Sequence, residues 1–242
     1  MNQPVPPPDP VFTDRVAIVT GASSGIGAAT ATALAARGAM VALFARSAGK
    51  LAEVAARSRD RMLAVTGDVG SPEDVERLFS ETEARFGDCD ILINCAGMID
   101  PHPFAKTSVE AWDRMFAVNT RGAFLTARRA LPAMIARRSG TIVNVASISG
   151  VIGPKKFPGF VSYCASKAAV ISMTEALAAE VARYGIRVNC VSPGSVDTEM
   201  LRRAGPGLVP DMTPEEVART ILFLASPESR PMSGQNLHVY SA

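Results

Sequence analysis

The chain alternates between short apolar runs and longer segments in which apolar residues recur every three or four positions. Each short run is bounded by polar residues, glycine or proline, which is typical of a buried strand. Seven runs are predicted to be strands: RVAIVT (15–20), MVALFA (40–45), MLAVT (62–66), DILIN (90–94), GTIVNV (140–145), RVNCV (187–191) and QNLHV (235–239). The alanine-rich segments between them are predicted to be helices, at residues 25–37, 72–86, 120–137, 161–184 and 214–225.

The strands are apolar on both faces and are separated by helical segments. Such strands lie in a parallel sheet with helices on both faces, because each right-handed crossover brings a helix onto one face. The pattern predicts an α/β protein with a doubly wound Rossmann fold and a seven-stranded parallel sheet. We expect one domain over residues 13–242, preceded by a disordered segment, 1–12, which contains five prolines.

Charge and composition exclude several classes of function. The 25 Lys and Arg balance 23 Asp and Glu and are scattered, so no nucleic-acid partner is expected. No apolar run approaches the roughly 18 residues that cross a bilayer, and the N-terminus does not resemble a secretory signal. We therefore expect a cytoplasmic protein with no membrane partner. The four cysteines lack paired spacing and only two histidines are present, so we expect reduced thiols and no metal site.

A glycine-rich turn follows the first predicted strand and leads into the first predicted helix. It contains Gly21, Gly25 and Gly27 in the run TGASSGIG. Glycines let a backbone turn tightly beside a pyrophosphate, whose charge is stabilised by free N–H groups at the helix N-terminus. The turn therefore predicts a dinucleotide site, the alternative being a tight turn with no ligand.

A second group of residues is suited to reducing a carbonyl. Tyr163 and Lys167 are four apart in a predicted helix, so their side chains share one face. A nearby ammonium stabilises a phenolate, so we expect Lys167 to lower the pKa of Tyr163 and the phenol to act as general acid and base. Ser147 follows the fifth strand, at the carboxyl edge where ligands bind, and its hydroxyl can hydrogen-bond the substrate oxygen.

Together these motifs resemble the short-chain dehydrogenase/reductase family, over residues 15 to about 240. The resemblance implies a catalytic set of Asn119, Ser147, Tyr163 and Lys167, in which Asn119 supports a water that relays protons to the lysine. The alternative for Asn119 is an exposed helical side chain.

The resemblance also implies a set of cofactor-binding residues. Asp68 and Val69 match the pair that contacts the adenine, and Val196 matches the position whose backbone holds the carboxamide. Strand-end turns without a ligand are the alternative for the motifs after strands three and four. The full implied set is Gly21, Ser23, Ser24, Gly25, Ile26, Gly27, Arg46, Asp68, Val69, Asn94, Ala96, Gly97, Tyr163, Lys167, Pro193, Gly194, Val196 and Thr198.

The end of the second strand favours NADP over NAD. NAD-specific folds place an acidic residue there to bind the ribose hydroxyls, and this chain has Ala45. Arg46 could hold a 2′-phosphate through charge-assisted hydrogen bonds. Arg46 as an ordinary surface arginine is the alternative, and Ser24 stands where many NADP-preferring relatives carry a basic residue.

The function expected is NADP-dependent hydride transfer between the nicotinamide and a small-molecule carbonyl or secondary alcohol. One alternative is a 3-oxoacyl-(acyl-carrier-protein) reductase, although Tyr184 replaces one basic docking residue of that subfamily while Arg138 keeps the other. A non-catalytic NADP-sensing regulator is an alternative of another class. In the loop before Tyr163, Lys155 and Lys156 are either a solvated pair or a contact for an anionic substrate.

Relatives assemble through two long helices, equivalent to residues 120–137 and 161–184. Small residues such as Ala165, Ala168 and Ala169 would allow close approach between copies. We expect a homotetramer, with a dimer as the alternative. The segment after Thr198 is short, which predicts a relatively open pocket.

Overall fold

A computed structural model describes residues 11–205 and 207–240. The strands are β1 (Val16–Thr20), β2 (Met40–Ala45), β3 (Met62–Thr66), β4 (Ile91–Asn94), β5 (Gly140–Val145), β6 (Ile186–Pro193) and β7 (Asn236–Val239). The helices are α1 (Gly25–Ala36), α2 (Ala48–Ala55), α3 (Pro72–Phe86), α4 (Val109–Phe116), α5 (Gly122–Ala136), α6 (Val161–Val181), α7 (Glu199–Ala204) and α8 (Pro214–Ala225).

All seven strands pair in parallel, in the order β3-β2-β1-β4-β5-β6-β7. The predicted doubly wound Rossmann fold is therefore confirmed. The chain starts in the middle of the sheet, builds outward to β3, and then crosses back to build β4 to β7 on the other side of β1. Crevices form at such a reversal, because the crossovers on its two sides leave in opposite directions.

Alternate residues of each strand face opposite layers, as the two-residue period of a strand requires. In β1, Ala17 and Val19 pack into the layer that contains α1 and α8, and Ile18 packs into the layer that contains α3 and α5. All three are fully buried. This explains why the strands read as continuous apolar runs in the sequence.

The predicted N-terminal boundary needs one correction. Residues 1–10 of the segment expected to be disordered lie outside the described residues. Phe12, at the end of that segment, is only 2% exposed and belongs to the core layer of α1 and α8. Its ring removes apolar area from water, so the packed structure begins before residue 13.

Three helices were not expected from the sequence, namely α2, α4 and α7. Helix α7 follows Thr198 directly, so the segment that was expected to be short contains about one and a half helical turns. Between α4 and α5 the backbone forms a π-helical turn, Ala117–Arg121. Such turns are frequent at functional sites, and this one contains Asn119. Among the described residues, no helix is long and apolar enough to cross a membrane.

Candidate active site

A cavity of about 600 Å³ opens at the carboxyl edge of the sheet, where the order of the strands reverses. Segments that follow β1 to β6 all line it. The cavity lining includes most of the residues implied by the family resemblance: Gly21, Ser23, Ser24, Gly25, Ile26, Gly27, Arg46, Asp68, Val69, Ala96, Gly97, Ser147, Tyr163, Lys167, Pro193, Gly194, Val196 and Thr198. The sequence motifs thus meet in one place.

The glycine turn has a geometry that only glycine supports. A Cβ on Gly27 would lie 2.3 Å from the carbonyl oxygen of Gly21, and Gly21 and Gly25 have φ angles of 67° and 53°. The glycine-rich segment leads directly into α1, and the first helical turn of α1 carries no acidic residue. Ser24, the N-cap, makes no side-chain cap hydrogen bond. Backbone donors at the start of α1 thus suit a pyrophosphate, and the cradle fits a dinucleotide.

Thr20 fixes the position of the neighbouring loop, a role that sequence reasoning missed. Its buried hydroxyl accepts hydrogen bonds from the backbone N–H groups of Cys95 and Ala96, both at 3.1 Å. A Cβ on Gly21 would lie 2.8 Å from the Cα of Ala96. The loops after β1 and β4 therefore touch, and together they form the floor of the cavity.

The end of β2 contributes a basic margin to the cavity. Arg46 is exposed there, next to Ala45, and both line the cavity. Lys50, the first residue in α2 to carry a charge, also lines it and forms an ion pair with Glu199 of α7 at 3.0 Å. Lys50 was not among the predicted site residues because its contact comes from a residue 149 positions away.

Asn94 is placed differently from the other implied cofactor residues. Its side chain is buried and does not line the cavity. The amide donates to Asn144 Oδ1 at 2.9 Å, and its own Oδ1 accepts from the Thr126 hydroxyl at 2.7 Å. Asn144 in turn donates to Thr174 at 2.9 Å. This network joins β4, β5, α5 and α6 below the cavity, so the side chain of Asn94 supports the site from beneath.

Ser147, Tyr163 and Lys167 lie close together in the lining of the cavity. Ser147 follows β5, and its oxygen accepts a hydrogen bond from the Ser149 N–H at 3.1 Å. Tyr163 lies in the first turn of α6, and the Lys167 Nζ is 6.0 Å from its ring centroid. All three side chains are less than a tenth exposed.

The pKa of Tyr163 differs from the sequence expectation. Burial raises the pKa of the phenol to about 12, and a hydrogen bond with Ser147 has a smaller, opposing effect. The expectation that this pKa would be lowered, with Lys167 nearby, is not met: the net shift is upward. The physical reason is that the phenol loses its hydration, which disfavours phenolate more than the nearby groups favour it. The described site therefore holds Tyr163 as a protonated phenol.

Lys167 is itself held away from water. Its ammonium donates to the carbonyl oxygen of Val145 at 2.9 Å, and burial lowers its pKa. That hydrogen bond joins α6 to the end of β5, which carries Ser147 two residues later. The lysine thus fixes the strand end beside the tyrosine.

Asn119 is buried beneath the cavity rather than in its lining. Its Oδ1 accepts from the Met98 N–H at 2.7 Å, and its amide donates to the Met98 carbonyl at 3.0 Å and to the Ser166 hydroxyl at 2.9 Å. A Cβ on Gly97 would lie 3.3 Å from Lys167 Nζ and 3.5 Å from Asn119 Oδ1. Asn119 and Lys167 therefore approach the same glycine, and Asn119 ties α4–α5 to the loop after β4 and to α6.

The loop after β6 closes the other side of the cavity. Thr198 caps α7 by accepting a hydrogen bond from the Leu201 N–H at 3.2 Å. A Cβ on Gly25 would lie only 3.0 Å from the methyl group of Thr198. Val196 is buried and bridges to Met212. These contacts bring the segment that follows β6 against the glycine turn that follows β1.

Within residues 11–205 and 207–240, no group of three or more His, Cys, Asp or Glu could hold a metal ion. The four cysteines are free thiols, and burial raises the pKa of Cys95, beside the cavity, to about 12. The side chains that line the cavity supply a phenol, a hydroxyl and an ammonium beside the dinucleotide cradle.

A doubly wound fold with this cradle and this set of side chains is typical of nicotinamide-dependent oxidoreductases. The model of the short chain dehydrogenase family matches residues 15–208, and the chain belongs to this family. A nicotinamide cofactor is typical of it.

Known proteins of similar sequence and structure agree with this assignment. An uncharacterized oxidoreductase of Staphylococcus saprophyticus is 42% identical over 214 residues, which cover 87% of this chain and 90% of that protein. A solved short chain dehydrogenase/reductase family protein superposes with a TM-score of 0.85 at 35% identity, covering 95% of this chain and 97% of that one. A 3-ketoacyl-(acyl-carrier-protein) reductase from Brucella melitensis, solved with NADH, superposes with a TM-score of 0.88 at 31% identity, covering 94% and 97%.

Proposed function

We propose that this protein is an NADP-dependent carbonyl reductase that uses Tyr163 as general acid and base. The observation that carries the proposal is the meeting of Ser147, Tyr163 and Lys167 in the cavity that also holds the glycine turn. A reducing site needs a cofactor cradle and a proton donor within one cleft.

Reduction adds a hydride to the carbonyl carbon and a proton to the carbonyl oxygen. When bound, the nicotinamide of NADPH supplies the hydride. The C=O π electrons become a lone pair on oxygen, and the Tyr163 hydroxyl gives its proton to that oxygen. The Ser147 hydroxyl donates a hydrogen bond to the same oxygen as its charge grows. The Lys167 ammonium, one helical turn from Tyr163, stabilises the phenolate that remains. Oxidation of an alcohol uses the same groups in reverse.

The preference for NADP rests on the basic margin at the end of β2. Arg46 is exposed and lines the cavity, and Ala45 leaves no carboxylate at that point to repel a phosphate. A guanidinium can bind a phosphate through two charge-assisted hydrogen bonds. A 2′-phosphate would therefore gain an interaction that the ribose hydroxyl of NAD lacks.

A second candidate is reduction of 3-oxoacyl thioesters, which the similarity to the Brucella melitensis reductase favours. Docking of an acidic carrier protein needs basic surface residues. Arg138, at one of the two docking positions of that subfamily, donates to the backbone carbonyl of Arg183 at 2.6 Å. The other docking position is occupied by Tyr184, which is not basic. We rank this candidate second.

The test is oxidation of NADPH and NADH with a panel of ketones, sugars and a 3-oxoacyl thioester. Wild type should turn over at least one carbonyl class and prefer NADPH. Tyr163→Phe should keep its NADPH affinity and lose most turnover, by about 100-fold or more, because it lacks only the proton donor. Turnover by Tyr163→Phe at the wild-type rate would refute the role of the phenol. A thioester as best substrate would favour the second candidate, and tight NADPH binding without turnover would favour a sensor.

Arg46→Ala tests the cofactor preference. We expect this change to lower the affinity for NADPH by about 10-fold or more and to alter the affinity for NADH little. The reason is that the guanidinium is proposed to bind the 2′-phosphate, which NADH lacks. Arg59→Ala is the matched control, since Arg59 is exposed just beyond α2 and does not line the cavity. Equal losses for both cofactors would show that Arg46 does not bind the phosphate.

We also propose that the protein is a homo-oligomer, with a tetramer preferred to a dimer. Phe124 of α5 and Val161 of α6 are each 47% exposed, on the two helices expected to pair. Pairing of these helices between copies would cover both side chains. Light scattering after size exclusion measures the mass, and a monomer of 25.4 kDa would contradict the proposal.

A further inference from the structure

One end of the cavity is lined by apolar side chains packed around Tyr163. We call this end the apolar chamber, and it consists of Met98, Ile99, Phe157, Phe160, Ala204 and Leu208. They come from three separate segments: the loop after β4, the loop before α6, and the region of α7. The chamber therefore depends on tertiary structure and is not visible as a sequence motif.

An aromatic wall leads from solvent to the reacting group. Phe160 is 6% exposed and meets the Tyr163 ring edge-on, with centroids 6.2 Å apart. Phe157 lies 5.6 Å from Phe160 and is 44% exposed. An aromatic side chain left half-exposed at a cavity mouth offers an apolar contact to an entering molecule.

The wall is held in place by neighbouring contacts. The N–H of His102 donates to the carbonyl of Gly159 at 3.1 Å, which joins the loop before α6 to the loop after β4. Lys156 donates to the carbonyls of Ile148 and Val151 within its own loop. The Lys156 ammonium therefore stabilises the loop through these hydrogen bonds, and Lys156 does not line the cavity.

Charged groups near the chamber are already paired. Glu199 and Arg203 line the same side of the cavity, bound to each other at 2.5 Å, and Glu199 also binds Lys50. Asp100 contacts His102 and Arg114 and does not line the cavity. Within the described ranges, the side chains that form the chamber carry no charge, and the Lys167 ammonium beside Tyr163 is bound to the Val145 carbonyl. A charged group that entered the chamber would therefore lose hydration with little compensation.

We propose that the substrate is an uncharged ketone, or the corresponding secondary alcohol, whose apolar and preferably aromatic group occupies the apolar chamber. This inference rests on the proposed function, because it places the carbonyl beside Tyr163. It assigns Phe157 as a residue that determines specificity, and it disfavours sugars and ketoacids as substrates. The solvated alternative for Lys155 and Lys156 fits this assignment better than an anion contact.

The first experiment compares methyl ketones that differ only in the group at the far end of a two-carbon chain: phenyl (benzylacetone), hydroxyl or carboxylate (levulinate). Each is assayed with the wild-type protein and NADPH. We expect kcat/KM for benzylacetone to exceed that for levulinate by at least about 100-fold, because burying an unpaired charge costs far more than burying a ring gains. The hydroxyl-ended ketone should lie between them.

The second experiment changes the wall. Phe157→Ala should raise KM for benzylacetone by about 10-fold, leave kcat within about threefold, and leave the hydroxyl-ended ketone nearly unchanged, because the ring stabilises the bound substrate and the transition state equally. Phe157→Leu should restore much of the affinity. Ile152→Ala is the matched control, because Ile152 is 97% exposed in the same loop and does not line the cavity.

The outcomes separate this inference from the proposed function. Levulinate or a sugar as the better substrate, with Tyr163→Phe inactive, would overturn the apolar assignment and leave the reductase intact. A Phe157→Ala variant with unchanged KM for benzylacetone would also overturn it. Failure to reduce any carbonyl, with NADPH bound, would overturn the proposed function and the substrate assignment together.

Discussion

Tyr163 shows how burial sets the working state of one side chain. Its hydroxyl lies in a cavity with Ser147, and loss of hydration raises its pKa to about 12. Burial also lowers the pKa of Lys167, whose ammonium is fixed on the Val145 carbonyl. A phenol that stays protonated at neutral pH is ready to give its proton to a developing alkoxide. This environment favours the reducing direction of the proposed reaction.

The first prediction concerns the pH dependence of the two directions. Reduction needs the Tyr163 phenol and the Lys167 ammonium, so its rate should fall as pH rises through the pKa of either group, and the phenol itself is lost only near pH 12. Oxidation needs the phenolate, so its rate should rise about tenfold per pH unit through the alkaline range. Steady-state rates at saturating cofactor measure both profiles. An oxidation rate that levels off near neutral pH would show that the phenol ionises far below this value.

A second prediction concerns Asn94, which sequence reasoning assigned to the cofactor. Asn94→Ala removes the hydrogen bonds to Asn144 and Thr126 inside the protein. Buried groups left without partners cost about 1–3 kcal/mol, so the free energy of unfolding should fall by about that amount. Because the side chain does not line the cavity, the Kd for NADPH should change by less than about threefold. Urea unfolding and cofactor titration measure the two effects, and the reverse pattern would contradict the network.

The same residues show what the sequence could predict about the site. Tyr163 and Lys167 are one helical turn apart, so local periodicity alone places them together. The partners of Asn94 lie 50 and 32 positions away, on a different strand and helix. Thr20 similarly binds a loop 75 residues distant. Contacts of this range depend on strand order, which no local pattern specifies, so sequence reasoning missed the role of Thr20 and did not foresee the hydrogen bonds of Asn94.

At the level of elements, length decided what could be predicted. The strands and the five longest helical segments carry enough residues to repeat their apolar period. Helices α2 and α4 have eight residues each and α7 has six, which gives only about two turns of pattern. Each also begins beside the cavity or its loops, where tertiary contacts supply what the local sequence lacks.

Gly27 tests whether the cradle needs its close packing. Gly27→Ala puts a methyl 2.3 Å from the Gly21 carbonyl oxygen, so the turn must open and the affinity for NADPH should fall by about 10-fold or more. Gly49→Ala is the matched control: it lies in α2 with open space around its Cβ. That change should leave cofactor affinity unaltered and stabilise the fold by about 0.5–1 kcal/mol, because alanine is the better helix former. Equal affinity for both variants would contradict the cradle.

At the scale of the whole molecule, the cavity lies between two halves of one sheet. Strands β1 to β3 form one half and β4 to β7 the other. Thr20 joins the halves at the floor of the cavity, and the ion pair of Lys50 with Glu199 joins α2 to α7 at its margin. That pair is exposed, so it contributes at most about 1 kcal/mol. Strands β1 and β4 also pair directly, and a ligand that touches both halves adds further contacts between them.

Cofactor binding should therefore stabilise the whole fold. A ligand that binds only the folded state at 100 times its Kd adds about 2.7 kcal/mol to the free energy of unfolding. For a domain of this size, that corresponds to a rise in Tm of about 5–10 °C. Thermal unfolding with and without NADPH measures the rise. Gly27→Ala at the same NADPH concentration should show a smaller rise, because fewer of its molecules hold cofactor. A wild-type Tm that does not move, at a concentration where titration shows the cofactor bound, would mean that NADPH binds the unfolded chain equally well, and the cavity would then not be its site.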